Sequence, residues 1–223
     1  VTEFITQGPF AGLVKHGYRT IAMDPPWKFL THSDKGLGRS AERHYHCMTL
    51  DDIKKLPIHE LMMKDASVLM WITDPLLFQG MDVLADWNLK FATVAYYWAK
   101  TSSEGSDKDA FGMGFWTRAN PEQVWAAYNT DDAEEDTQVV MFKQGHPKRR
   151  ARNVRRLIVA PVREHSRKPD EFFERTERLL DGPYLELFSR EERPGWTTWG
   201  NEVGKFRHPD WSETLTPEAL ELV

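Results

Sequence analysis

Apolar residues fall along this chain either in short unbroken runs or at helical spacing, and the two patterns alternate. Tyr18–Met23 (YRTIAM) is an apolar run that stops at Asp24-Pro25-Pro26. Two successive prolines cannot continue a ladder of backbone donors, so a strand is expected to end there. Thr49, followed three residues later by Asp52, is a helix-start pattern and introduces a short helix over Asp51–Leu56. Ala66–Thr73 (ASVLMWIT) does not alternate and predicts a fully buried strand. In Pro75–Trp87, Leu76, Leu77, Met81, Leu84 and Ala85 recur at helical spacing. Lys90–Lys100 returns as a strand, and strand, helix, strand succession predicts a parallel sheet with crossover helices.

The middle of the chain reads differently. Thr101–Gly114 is rich in Ser, Gly and Asp and predicts a long loop that acts as a lid. Gln123–Tyr128 and Thr137–Phe142 look like paired strands joined by Asn129–Asp136, whose DDAEED tip reads as a solvated hairpin loop. Leu157–Ala160 is a brief strand. Pro169–Asp181 is an amphipathic helix, with Pro169 at its first position, Glu171 in its first turn and Phe172, Phe173, Thr176, Leu179 and Leu180 on one face. Tyr184–Phe188 is a further strand. No internal repeat is visible, so residues 1–206 are read as one domain and 207–223 as a loosely attached polar tail.

Composition narrows the class. With 223 residues, 40% apolar and 28% charged, the chain suits one folded α/β domain rather than a disordered or fibrous one. The apolar runs fall short of a membrane span and the start lacks a signal pattern, so a cytoplasmic protein is expected. One cysteine, Cys47, excludes an internal disulfide framework. The net charge of −5 argues against a surface that coats nucleic acid throughout. Locally the balance inverts: Lys148, Arg149, Arg150, Arg152, Arg155 and Arg156 place six positive charges in nine residues. This run is expected to hold a phosphate backbone beside the active pocket. The competing reading is that it offsets the acidic tip.

The chemistry starts at Asp24. A strand ending in Asp-Pro-Pro-Trp presents a carboxylate and a donor-poor, carbonyl-rich turn at the carboxyl edge of a sheet, where open α/β sheets bind ligands. Asp24 and the neighbouring carbonyls form a cluster of acceptors suited to a planar amine, and Trp27 offers a ring face on which to stack it. The competing reading has Asp24 capping a turn and Trp27 filling the core. His32, His44, His46 and Cys47 lack a second ligand pair, so no metal site is expected.

Asp24-Pro25-Pro26-Trp27, together with His165–Glu171 (HSRKPDE), Glu186–Arg190 (ELFSR) and Trp196–Glu202 (WTTWGNE), resembles the MT-A70-like family of adenine N6-methyltransferases. The likeness runs from about Tyr18 to Val203. It implies an α/β, Rossmann-like, S-adenosylmethionine-dependent methyltransferase fold in circularly permuted order, with the catalytic motif before the cofactor motif. By this resemblance Asp24 and the carbonyl of Pro25 accept the adenine amine, with Pro26 and Trp27 completing the catalytic turn. Lys168 meets the methionine carboxylate of the cofactor. Arg190, Asn201 and Glu202 match positions that contact the ribose hydroxyls, and Glu186 and Asp24 stand beside them. Ser189 and Glu192 depart from the messenger-RNA enzymes, which have glycine and histidine there. Tyr45, Trp116 and Glu122 match a target-base pocket. The resemblance assigns no residue to the cofactor's adenine.

The expected activity is therefore methyl transfer to the exocyclic N6 amine of adenine in nucleic acid. The compact chain, lacking added RNA-binding modules, and its likeness to bacterial and phage members make DNA the preferred polymer. RNA comes second, and a catalytically silent nucleic-acid-binding subunit is the reading from another class. Homo- or hetero-oligomerisation stays open.

Overall fold

A computed structural model describes residues 2–28, 47–102, 105–110, 120–129, 147–164 and 166–206. The tail 207–223 and the segment Thr137–Phe142 lie outside the described residues. In chain order the elements are β1 (Tyr18–Met23), α1 (Leu50–Lys54), β2 (Met62–Ile72), α2 (Leu77–Asp86), β3 (Leu89–Ser102), β4 (Gly105–Asp109), β5 (Glu122–Asn129), β6 (Leu157–Pro161), α3 (Asp170–Leu179), β7 (Tyr184–Leu187) and β8 (Trp196–Trp199). The strands form one eight-stranded sheet in the order β4-β3-β5-β2-β1-β7-β8, with β6 also pairing β3.

The unbroken apolar runs of β1 and β2 have a direct cause: the sheet is covered on both faces. Ile21, Met23, Val68, Met70 and Ile72 belong to one buried cluster with Ile53 of α1 and with Val83 and Leu84 of α2. The alternate residues Ala22, Leu69 and Trp71 belong to a second cluster, with Tyr96, Trp98, and Phe172 and Phe173 of α3. Successive side chains of a strand point to opposite faces, so a strand buried on both needs no polar positions. Capping of α1 is as the sequence suggests, since the Asp52 amide donates to Thr49 Oγ1 at 3.2 Å.

The sheet is mixed rather than parallel. β1 runs parallel to β2 and β7, and β7 to β8, but β5 is antiparallel to both of its neighbours. It slots between β2 and β3 and separates the two strands that α2 connects. Gln123–Tyr128 has both edges occupied, Ser67–Ile72 on one side and Lys90–Tyr97 on the other, both antiparallel. Two further expectations change. The predicted long loop begins inside β3 and contains β4, and Trp196–Trp199, read only as part of a motif, is a strand beside β7.

Candidate active site

Asp24 follows the last residue of β1, in the middle of the sheet, where the double proline stops the ladder as expected. The Trp27 amide turns back onto the Pro25 carbonyl at 2.8 Å, and the Met48 amide donates to the Pro26 carbonyl at 2.8 Å. Asp24 and Pro26 line a cavity of about 340 Å³ between the ends of β1, β7 and β8 and the start of α3. Pro25 is buried just behind it. Trp27 corrects the sequence reading: it is 5% exposed, lies in the first core cluster and does not line the cavity, so its ring is not available for stacking a base.

The Asp24 carboxylate belongs to a row of alternating charges drawn from four parts of the chain. Lys168 Nζ lies 3.0 Å from Asp24 Oδ2 and 2.9 Å from Glu122 Oε2, and the other Glu122 oxygen is bonded by Lys100. Lys168 also sits 4.6 Å over the Trp71 ring. Burial raises the Asp24 carboxyl above its ordinary value, even against the attraction of Lys168. Burial acts on Glu122 in the same sense, but Lys168 and Lys100 overcome it and hold Glu122 down to about 2. Lys168 is pushed upward despite burial, because two carboxylates face it. Glu122, matched to the target-base pocket, is thus saturated by two ammonium groups. Tyr45 and Trp116, its expected companions, lie outside the described residues.

Lys168 owes its position to the turn before α3. Ser166 adopts the left-handed region at φ 64°, and Arg163 holds the Lys168 carbonyl while pairing with Asp170 at 2.8 Å. Arg193 joins Asp170 at 3.2 Å and stacks 3.6 Å from the centre of the Phe173 ring. Arg167, beside Lys168, is tied to Glu191 and Glu164. These pairs fasten the turn to the β7–β8 connection. Nothing in the spacing of Arg163, Arg167, Glu191 and Arg193 announced them as one network.

Across the cavity stand the residues matched to the cofactor. Arg190 pairs with Glu202 at 3.1 Å, and Asn201 and Glu186 line the same space. Among the described residues, Glu186 is the one cavity-lining carboxyl for which no ion pair is seen. Burial pushes it up to about 7. Ser189 Oγ lies 2.9 Å from Glu186 Oε2 and 2.8 Å from the Glu191 carbonyl oxygen. The one hydroxyl proton thus has two acceptors within reach, and the Glu191 amide donates back to the same oxygen at 3.3 Å.

The turn that presents Ser189 is tight. Phe188 has φ 61°, a costly conformation for an aromatic residue, and Gly200 packs against it so closely that a Cβ would collide with the Ser189 carbonyl. Phe188, Trp199 and Phe206 supply apolar wall, and Phe10, buried in the segment before Tyr18, meets Trp199 edge-on at 5.1 Å. The Phe188 and Trp199 contribution was latent in the ELFSR and WTTWGNE segments. Phe10 and Phe206 carried no signal.

No residue of the basic run lines this cavity. The Arg150 amide donates to the Leu179 carbonyl at 2.8 Å, its guanidinium donates to the Glu177 carbonyl at 3.0 Å and faces Asp181 at 3.4 Å. Arg150 therefore closes the carboxyl end of α3, about 15 Å along a ten-residue helix from the end that carries Lys168. Arg156 reaches Thr93 Oγ1 at 3.2 Å, before the amino end of β6. Among the described residues no group of three His, Cys, Asp or Glu is placed to hold a metal; His32, His44 and His46 lie outside them. No described helix is long and apolar enough to cross a membrane.

Comparison with known proteins places this geometry. A profile of the MT-A70 family matches residues 18–202. The mouse (Mus musculus) N(6)-adenine-specific methyltransferase METTL4 is 29% identical over 202 residues, 87% of this chain and 39% of its own length. Type II methyltransferase M.MunI of Mycoplasma sp is 26% identical over 212 residues, 87% of this chain and 81% of its own. The Danio rerio N(6)-adenosine-methyltransferase subunit METTL3 is 26% identical over 207 residues, 91% of this chain and 30% of its own. The chain thus spans about two fifths of METTL4 and less of METTL3.

Proposed function

The chain belongs to the MT-A70 family, and on that premise we propose that it transfers a methyl group from S-adenosylmethionine to the N6 amine of adenine in nucleic acid, DNA before RNA. The observation that carries this reading is Asp24. It is a half-buried, elevated carboxyl at the carboxyl end of a central strand, opening onto a cavity and steadied by a lysine. The family's N6-adenine and N6-adenosine relatives support the base and the atom.

The residues present fit the cofactor. The cavity volume is in the range of small-molecule sites, Glu186 offers a half-buried carboxyl with no ion pair seen among the described residues, and Arg190, Asn201 and Glu202 form a polar rim beside aromatic wall. Glu186 and that rim would hold the ribose hydroxyls, and Lys168 the amino-acid end. When bound, S-adenosylmethionine supplies an electrophilic methyl group on a sulfonium. Asp24 accepts one amine hydrogen, and the Pro25 carbonyl, which takes the Trp27 amide on one lone pair, would use the other for the second. Their bonds favour a pyramidal nitrogen, whose lone pair is free to react, over the flat ground state. Methylation leaves a surplus proton on that nitrogen, and Asp24, raised by burial, is able to take it. The order of the chain, with the catalytic turn on β1 and the cofactor side on β7 and β8, supports the circularly permuted reading.

The test is mass-spectrometric nucleoside analysis of DNA and RNA incubated with the protein and S-adenosylmethionine. N6-methyladenine in the wild-type product and none with Asp24→Ala is the expected result. Methylation confined to cytosine, or undiminished transfer by Asp24→Ala, overturns the proposal. The same measurement decides the polymer. A silent subunit is disfavoured because Asp24 faces open space rather than core.

A further inference from the structure

Lys168 has to be buried and cationic at once, which normally demands full pairing of its donors. Asp24 and Glu122 provide two partners and the Trp71 face a third contact. Glu122 in turn would carry an unpaired oxygen were it not for Lys100. That residue lies two positions beyond Trp98 on β3, and Trp98 is the register partner of Glu122 on β5. Period-two alternation puts Lys100 on the same face as Trp98, and its ammonium lies 5.1 Å over that indole. Trp71 and Trp98 meet edge to face, so the two lysines stand on adjoining indoles and share one carboxylate.

The backbone of Lys100 is held with equal care. Regular β5 pairing stops at Glu122, and the Asn120 side chain takes over: its Oδ1 accepts from the Lys100 amide at 3.0 Å and its Nδ2 donates to the Lys100 carbonyl at 3.0 Å. A side-chain amide standing in for a strand partner fixes the one residue that completes the row.

We infer that Lys100 is a positioning residue for the reaction, acting through Glu122 to keep Lys168 on Asp24. Without Lys100, one Glu122 oxygen is left bare, the Lys168 ammonium is drawn toward it, and Asp24 loses the cation that offsets its burial. The other charged groups facing Asp24 are Arg190 after β7, which acts in the same sense as Lys168, and Glu122 and Glu186, which act against it. Removing Lys100 therefore raises Asp24 further. This inference rests on the proposed role of Asp24, but it can be read without turnover.

The experiment is a carbon-detected NMR titration of side-chain carboxyls in the full chain, with Asp24→Asn identifying the Asp24 signal. Lys100→Met is expected to move the Asp24 midpoint up by about one pH unit, and Lys100→Arg to return it. The acid limb of turnover should move with it. Lowered thermal stability with an unmoved midpoint overturns the inference and leaves Lys100 as a structural residue. Absence of methyl transfer by the wild type would sink the proposed function, and the titration would still decide what Lys100 does.

Discussion

Lys168 Nζ and Asp24 Oδ2 stand 3.0 Å apart, joining the turn before α3 to the end of β1 across 144 residues of chain. The pair is only partly buried, Lys168 10% and Asp24 33% exposed, so removing one partner costs less than the roughly 3–5 kcal/mol of a fully buried pair. Lys168→Met is therefore expected to lower thermal stability and to cut turnover by two orders of magnitude or more, as burial raises the Asp24 carboxyl without the offsetting cation. Activity recovering as pH is raised would tie the loss to Asp24. A variant with wild-type turnover would separate Lys168 from the chemistry.

Glu186 makes stability depend on pH with a definite sign. Its folded value, about 7, lies above the ordinary carboxyl value, so between the two the native state binds more protons than the unfolded chain. Stability falls as pH rises through that interval, and the loss is complete above about 7. Glu186→Gln cannot ionise and escapes the cost. The stability of this variant relative to wild type should grow by about 3 kcal/mol from pH 4 to pH 8, measured by denaturant unfolding without ligand. A constant difference across the interval would place Glu186 in a less demanding environment.

Local pattern revealed the elements whose neighbours are local or whose burial is complete. β1, β2, α2, α3 and β7 announce themselves because a doubly covered strand is a run of apolar residues and a helix on one face of a sheet shows its stripe. Pairing was less legible. Nothing within Glu122–Asn129 says that it enters between β2 and β3 rather than folding back on the next segment, since that choice is made by partners more than 20 residues away. The polar GSDKD of β4 has no strand signature at all. At the site, motifs found Asp24, Lys168, Glu186, Arg190, Asn201 and Glu202, which do share one cavity. They misplaced Trp27, because an aromatic next to a reactive residue reads the same whether it faces a ligand or the core.

That misplacement is itself testable. At 5% exposure Trp27 contributes packing, and Trp27→Leu removes ring volume from the first core cluster. The expected cost is a few kcal/mol of stability, of the order seen when large core residues are truncated. Below the unfolding transition, affinity for an adenine-containing oligonucleotide should stay within about twofold, since a stacking base is worth about 1–3 kcal/mol. A tenfold or greater loss of affinity with unchanged melting would put the ring against the base after all.

Arg150 distinguishes two uses of the basic run. Its guanidinium is spent on the carboxyl end of α3 and on Asp181, where it offsets the helix dipole and satisfies a carbonyl. Arg150→Ala is expected to cost about 1 kcal/mol of stability and to leave the salt dependence of nucleic-acid affinity unchanged. Simultaneous replacement of Lys148, Arg149 and Arg152 by alanine should flatten that dependence if they meet phosphates, by up to about three units of slope. Equal slopes in both variants would remove the run from the binding surface.

Gly200 controls the geometry of the cofactor side. A Cβ at this position would strike the Ser189 carbonyl and come to 2.9 Å from the Ser189 nitrogen and 3.0 Å from the Phe188 carbonyl carbon, all backbone atoms that cannot swing aside. The turn is already committed to a left-handed Phe188 and is tied to β8 by the Ser189 amide on the Trp199 carbonyl at 2.9 Å. Relief has to come from moving Phe188–Ser189 away from Gly200, which carries Ser189 off Glu186 and shifts Arg190 against Glu202. Gly200→Ala should therefore weaken S-adenosylmethionine binding by tenfold or more in calorimetry, with a smaller effect on the affinity for nucleic acid under the proposed role of Asp24. If cofactor affinity is unchanged while melting falls, the turn yields without disturbing the cavity, and the polar rim is less dependent on it than this packing implies.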